Sequence, residues 1–307
     1  MSFFSPSNRP RLRQSHPPPV PNRPDLKKRC GTGRSLVDSI RSRFAQTLVG
    51  QTNLRESLIT TLVAGGHILI ESVPGLAKTT AAQTLATSVS GSFKRVQCTP
   101  DLMPSDLVGT RCSISPPNAS PRKSDRSTPI SCCSTNNRAN AKTQSAMLEA
   151  MAEGATTIGG QRIELPKPFM VIATQNPIEE EGTFNLPEAQ MDRFMMKAIM
   201  TYPSADEEQR MLGLLINRGS DAIDPTKLPR DVISIQDVDW LRETARRVHV
   251  SDAIMQYAVA LSETSRGGGP KPIQGLSSLV RLGASPRASI ALVRIAQASA
   301  LMAGRIM

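Results

Sequence analysis

The sequence predicts an α/β fold, a parallel sheet carrying a phosphate-binding loop, followed by a smaller all-helical domain. Three observations predict it. The apolar run "HILI" leads straight into "ESVPGLAKTT" (residues 71–80), a helical period and then the strand-like "SFKRVQC", which together make a strand, loop, helix, strand unit. "PFMVIATQNP" reads as another buried strand from Phe169 to Thr174, too apolar on both faces for a half-exposed strand. From about Pro203 onward only helical periods occur, in "DVDWLRETARRV", "SDAIMQYAVALSETSR" and "SPRASIALVRIAQASALMAG".

Taken in order, residues 1–34 are rich in Pro, Arg and Ser, have no apolar period, and read as a disordered basic tail. Leu36, Ile40, Phe44 and Leu48, then Leu54, Leu58 and Leu62, recur at helical spacing and predict two helices broken near Gly50. A strand over His67 to Glu71, the loop, and a helix from about Lys78 come next. The expected division is thus a tail (1–34), an α/β core (35–202) and a helical domain (203–307).

The chain has 307 residues, 39% of them apolar, which is enough for a sizeable core. No apolar stretch approaches the ~20 residues of a membrane span, and the first residues lack a secretory apolar region, so a cytoplasmic protein is expected. The net charge of +11 is concentrated: residues 1–45 contribute +8 and residues 111–140 contribute +4, leaving the rest nearly neutral. With seven Phe, two Tyr and one Trp in all, that distribution argues against nucleic acid as a partner. Five cysteines without a C-x-x-C pair, and three histidines away from ligand spacing, argue against a disulfide framework, a zinc site and histidine catalysis. Met191, Met195 and Met196 read as fillers of core gaps.

A phosphate loop works because successive backbone N–H groups converge on phosphate oxygens at a helix N-terminus, whose partial positive charge adds to the attraction. In the pattern G-x-x-x-x-G-K-[ST] the two glycine positions are here Ser72 and Ala77. Ala77 intrudes by one methyl group, whereas Ser72 is expected to cost closure if its position needs φ > 0. Lys78 is placed to reach the β/γ-phosphates and Thr79 to put its hydroxyl on Mg²⁺.

The blocks "ILIESVPGLAKTTAAQTLA", "FKRVQCTPDLMPSDLVGT", "ATQNPIEEEGTFNLPEAQMDRF" and "GASPRASIAL" closely resemble the MoxR family of AAA+ ATPases, in order and at near-family spacing, over residues 36–110 and 137–305. The resemblance implies a P-loop AAA+ core with a helical lid, ATP and Mg²⁺ as cofactors, and a homo-oligomeric ring, commonly a hexamer. It implies that Val73, Pro74, Gly75, Leu76, Ala77, Lys78, Thr79 and Thr80 hold the nucleotide, with Thr79 on the metal. The "LVGQ" stretch, with Gly50 and Gln51, matches the segment that packs on adenine. Asn176 matches the sensor-1 residue that positions water, Arg193 the arginine finger, and Arg287 the sensor-2 arginine that contacts the γ-phosphate from the lid. In "GASPRA", Ser285 is a good N-cap and Pro286 suits the first helical position. Arg287 then opposes the helix dipole, which hints at a role beyond stability. The family works on a client protein, typically with a von Willebrand factor A domain partner, and its lid normally continues beyond "AGR", so a shortened lid is expected.

One block departs from that pattern. Relatives end the next core strand in Asp-Glu, acids that hold Mg²⁺ and polarise water. Here "ISCCSTNNRAN" puts Ser134 and Thr135 there, and two neutral hydroxyls cannot replace that charge. Residues 111–136 show no strand pattern, so the chain as written is expected to lose a central strand and to be crippled in hydrolysis. Codons chosen for Ile130 to Asn136 give Leu-Val-Leu-Leu-Asp-Glu in the shifted frame. A frameshift soon after Thr110, compensated near Asn136, is therefore the expected cause, and a genuine insert the rival.

Overall fold

The computed structural model describes residues 23–73, 75–90, 92–97, 129–134, 141–158, 160–176, 186–218, 224–229 and 232–305. The remaining positions lie outside the described residues. They include 1–22 of the expected tail, Pro74 of the loop, Thr135, and most of the aberrant 111–136 segment.

Five strands form one parallel sheet: β1 (Ile68–Glu71), β2 (Ser92–Gln97), β3 (Pro129–Ser134), β6 (Met170–Gln175) and β7 (Met196–Ile199). Their order is β2-β3-β6-β1-β7, and every neighbouring pair is parallel. Ile68, Leu69 and Ile70 of β1 and Met170 to Ala173 of β6 are buried, as continuous apolar runs covered on both faces should be. A separate antiparallel hairpin, β4 (Ala155–Ile158) and β5 (Gln161–Glu164), turns at Gly160, whose φ is 79°.

The helices are α1 (Arg23–Thr47), α2 (Thr52–Ala64), α3 (Lys78–Ser88), α4 (Ala141–Glu153), the short α5 (Glu188–Met191), α6 (Ala205–Arg218), α7 (Ile235–Arg246), α8 (Asp252–Ser265), the short α9 (Leu276–Leu279) and α10 (Pro286–Met302). Capping chemistry sets several of their starts. Ser234 and Asp237 form a capping box on α7, Ser204 and Glu207 bond reciprocally at α6, and Ser285 Oγ accepts the Arg287 N–H at α10.

Two expectations are corrected. The tail does not extend to residue 34, because α1 begins at Arg23. Cys30 is buried, and Gly33 passes so near α10 that a Cβ would lie 2.9 Å from Leu301 Cδ1. The central strand is not lost: β3 stands between β2 and β6, with Ser134 in register with Gln97 and Thr174. Parallel pairing uses backbone N–H and C=O groups, which any residue except proline supplies in full. The expected helical domain is present as α6 to α10, and it shares its core with the preceding helices. Val238 and Leu241 of α7 and Ala298, Leu301 and Met302 of α10 join Phe44, Leu58 and Leu62 in one apolar cluster.

The methionine reading holds for two residues of three. Met195 and Met196 pack against the core, and Gly66 leaves room for Met195, whose Sδ would be 2.6 Å from a Cβ there. Met191 is 39% exposed.

Candidate nucleotide site

The carboxyl edge of the sheet gathers the predicted residues. Glu71 ends β1 in register with Gln175 of β6 and Ile199 of β7. The Ser72 N–H extends the ladder by donating to Gln175 O at 3.1 Å, which brings Asn176 beside the loop entrance. Beyond the strand end, Gly75 turns with φ 85° and Ala77 with φ 53°, and α3 starts at Lys78. Lys78 Nζ donates to Ser72 O at 3.0 Å, so its ammonium lies folded back along the loop. Thr79 and Thr80 occupy the first turn of α3.

The strain at the loop falls on Ala77, expected to intrude by only one methyl group, and not on Ser72. Ser72 is buried and is not among the residues of positive φ; its hydroxyl donates to Val73 O at 3.0 Å. Ala77 carries the left-handed turn instead, a conformation that costs an L-residue about 1 kcal/mol.

These groups fit a polyphosphate. They combine one ammonium, a helix N-terminus of 11 residues in α3 and a turn that exposes backbone N–H groups. The fit to Mg²⁺ is incomplete. Thr79 supplies a hydroxyl, but β3, two strands and therefore ~10 Å from β1, ends at Ser134 with Thr135 next in the sequence. Glu71 does carry a carboxylate at this edge, yet its Oε2 is held by Lys197 Nζ at 2.6 Å. Among the described residues no group of three His, Cys, Asp or Glu is placed to hold a metal ion.

Gly50 and Gln51 form a turn in which both residues have positive φ, 71° and 52°. Gly50 abuts Glu207 so closely that a Cβ would lie 2.6 Å from its carboxylate carbon, and Gln51 Nε2 donates to Thr201 O at 3.0 Å. The turn is thereby fixed to the chain leaving β7.

Arg193 and Arg287 come together, but away from the loop. Asp192 Oδ1 accepts from Ser285 Oγ at 2.5 Å, and Asp192 Oδ2 pairs with Arg287 Nη1 at 3.2 Å. Both arginines line one cleft of about 1330 Å³ between α5, α8 and α10, and no described residue of the phosphate loop lines it. Sequence spacing could not have indicated this, because it carries no information on where the lid docks.

His67 is structural, as its lack of ligand spacing suggested. Its Nδ1 accepts the Val171 N–H at 3.0 Å and its Nε2 faces Met151 O at 3.1 Å. Burial pushes its pKa down to about 4, so the ring is neutral and ties β1 to β6 and α4. His249 is exposed, and His16 lies outside the described residues.

Comparison with known proteins places this geometry among ATPases. The ATPase family associated with various cellular activities (AAA) matches residues 67–196, and the AAA lid domain matches residues 276–306. The chain is 38% identical to Chaperone MoxR1 of Mycobacterium tuberculosis, over 84% of this chain and 67% of that protein. It is 40% identical to YeaC of Bacillus subtilis, over 84% and 76%, and 30% identical to Protein MoxR of Methylorubrum extorquens, over 89% and 82%. The crystal structure of a candidate ATPase from Cytophaga hutchinsonii superposes with a TM-score of 0.75 at 34% identity, covering 92% of this chain and 84% of that one.

Proposed function

Because the chain belongs to the MoxR family of AAA+ ATPases, we propose that it is a ring-forming, chaperone-like subunit that binds ATP at residues 72–80 and remodels a client protein, with hydrolysis blocked at the end of β3. The observation that carries this reading is the loop itself: a left-handed turn at Ala77, an α-helix starting at Lys78, and an ammonium folded over Ser72 O, all at the carboxyl end of β1. Lys78 and the loop amides, with Pro74 of the same loop, bind the triphosphate; Thr79 offers its hydroxyl to Mg²⁺; Asn176 orients water. Bound Mg²⁺ would neutralise phosphate charge, but Ser134 and Thr135 stand where the family resemblance implies the acids that would fix it.

Arg193 and Arg287 share a cleft that no described residue of the phosphate loop lines. This supports both acting on the nucleotide of a neighbouring subunit, the arrangement a hexameric ring provides. The cytoplasm, a von Willebrand factor A domain protein and a larger enzyme awaiting maturation complete the reading as compartment, partner and client. No helix among the described residues is long and apolar enough to cross a membrane.

The experiment is a paired measurement of ATP binding and turnover on the full chain. Binding is expected without turnover above background, and Lys78→Ala should weaken binding about 10- to 150-fold, the range for removing a charged hydrogen-bonding group. Rapid hydrolysis by the unaltered chain would overturn the blocked-site reading, and absence of binding would overturn the site. Sequencing codons 108–140 distinguishes a slipped frame, which would contain Asp-Glu, from a genuine insert.

A further inference from the structure

Helix α8 buries little of the apolar surface that its sequence offers. "DAIMQYAVALSETS" is apolar over a wide arc, yet only Ala258 and Ser262 are buried, where α8 lies along α10 and Ser289 Oγ donates to Ser262 Oγ at 2.8 Å. A helix apolar over so wide an arc belongs in an interior or an interface. One flank, with Leu261 and Ser265, lines the arginine cleft, and Ile254 lines a small pocket beside Gln297 and Ala300. The opposite flank lines neither: Met255 is 43% and Val259 45% exposed.

That open flank is self-complementary. At the helical repeat, Asp252, Met255, Val259 and Arg266 fall on one stripe along α8. Asp252 opens the helix and Arg266 caps its end, each about 10.5 Å along the axis from Val259. Both are exposed, and neither has an ion-pair partner among the described residues. Arg266 Nε donates to Ser262 O at 3.1 Å, which keeps the guanidinium at the helix end. A two-fold axis at Val259 therefore sets Val259 against its own copy and brings each Asp252 to the other copy's Arg266. The paired helices run antiparallel, so their end charges face opposite signs. An unrelated partner would have to supply a matching stripe with the reverse order of charges, whereas a second copy has it already.

We propose that two copies of this chain pair through α8, antiparallel about a two-fold axis at Val259, with apolar contact along the stripe and two reciprocal Asp252–Arg266 ion pairs. None of these residues belongs to the phosphate loop or lines the arginine cleft, so the contact does not depend on the ring reading. It joins two single subunits or, between assembled subunits, one ring to another. The apolar stripe supplies most of the affinity, because exposed ion pairs contribute little on their own. The ion pairs supply direction and register, since a parallel pairing would set like charges together.

Analytical ultracentrifugation of the full chain tests the pairing. Val259→Lys puts a charge on the axis and should halve the mass of the largest species while leaving the far-UV circular dichroism unchanged, since the side chain is half exposed in the single chain. Asp252→Arg alone, or Arg266→Asp alone, should weaken pairing about 2- to 30-fold through the loss of two exposed ion pairs. An equimolar mixture of those two variants should pair as the unaltered chain does, because one then carries cations at both ends of the stripe and the other carries acids. Under mild oxidation, Val259→Cys should give a covalent dimer beyond any that the unaltered chain forms. A single-chain mass for the unaltered protein, or an unchanged mass for Val259→Lys, would overturn the proposal. So would a mixture that pairs no better than its separate components, because another surface would then hold the copies together.

Discussion

The ends of β1 and β3 lie in one parallel sheet, on one edge, and are built by the same backbone ladder. At β1 the strand delivers a loop, an ammonium and a helix N-terminus. At β3 it delivers Ser134, with Thr135 next in the sequence, at the place where the family resemblance implies two acids. The difference separates two things a fold provides. Strand position is held by main-chain hydrogen bonds that most residues supply, whereas metal-holding chemistry is a matter of particular side chains.

The sharpest way to break this comparison is to give β3 the missing charge. Ser134→Asp with Thr135→Glu should raise kcat for ATP by about 10²- to 10⁴-fold, the usual contribution of a placed general base, with little change in ATP affinity. A steady-state assay checks it, and no rise would show that β3 differs from β1 in more than two side chains.

The opposite end of the same strands gives the next largest effect. His67 is held neutral with a pKa of about 4 against an ordinary value of 6.5. Unfolding lets it take up a proton wherever the pH lies between those values, so its contribution is complete above about pH 6.5 and declines as the pH falls toward 4. Urea unfolding at pH 7.5 and 5.0 should differ by about 2 kcal/mol from this residue, and His67→Gln should remove that share of the difference.

Smaller again, Ala77→Gly relieves a left-handed alanine and should stabilise the folded chain by about 0.5–1 kcal/mol in thermal unfolding. No gain would mean that the loop at β1 is less strained than its φ of 53° indicates. Asp192→Asn removes an ion pair to Arg287, which is half exposed. It should cost well under 1 kcal/mol, with a difference that shrinks as salt is added.

Much of this architecture could be read from residues alone. β1, α3, β2 and β6 announce themselves through apolar runs and the loop between them, and the helices after Pro203 through their period. β3 escaped because "PISCCS" has neither an apolar run nor alternation, so its place is visible only from its partners. The β4–β5 hairpin had a usable sign, the Gly-Gly pair at 159–160 between short alternating segments. β7 hid inside a methionine-rich stretch, and the early start of α1 goes with contacts more than 250 residues away, Gly33 against Leu301 of α10 and Cys30 Sγ toward Arg305 O just beyond it. At the site, Lys78, Thr79 and the Ser285 cap were legible as local chemistry. The docking of Arg287 on Asp192 depends on tertiary placement, which spacing does not encode.

Helix α10 has its last turn anchored in the apolar cluster with α1 and α2, while its first turn holds Arg287 against Asp192. Its 17 residues make a rod about 25 Å long, so a tilt of about 10° around the anchored tip sweeps the arginine by about 4 Å. Such a swing is wide enough to unhook the arginine from its carboxylate. A slight rocking of one rod would then suffice to turn a paired cation into a free one.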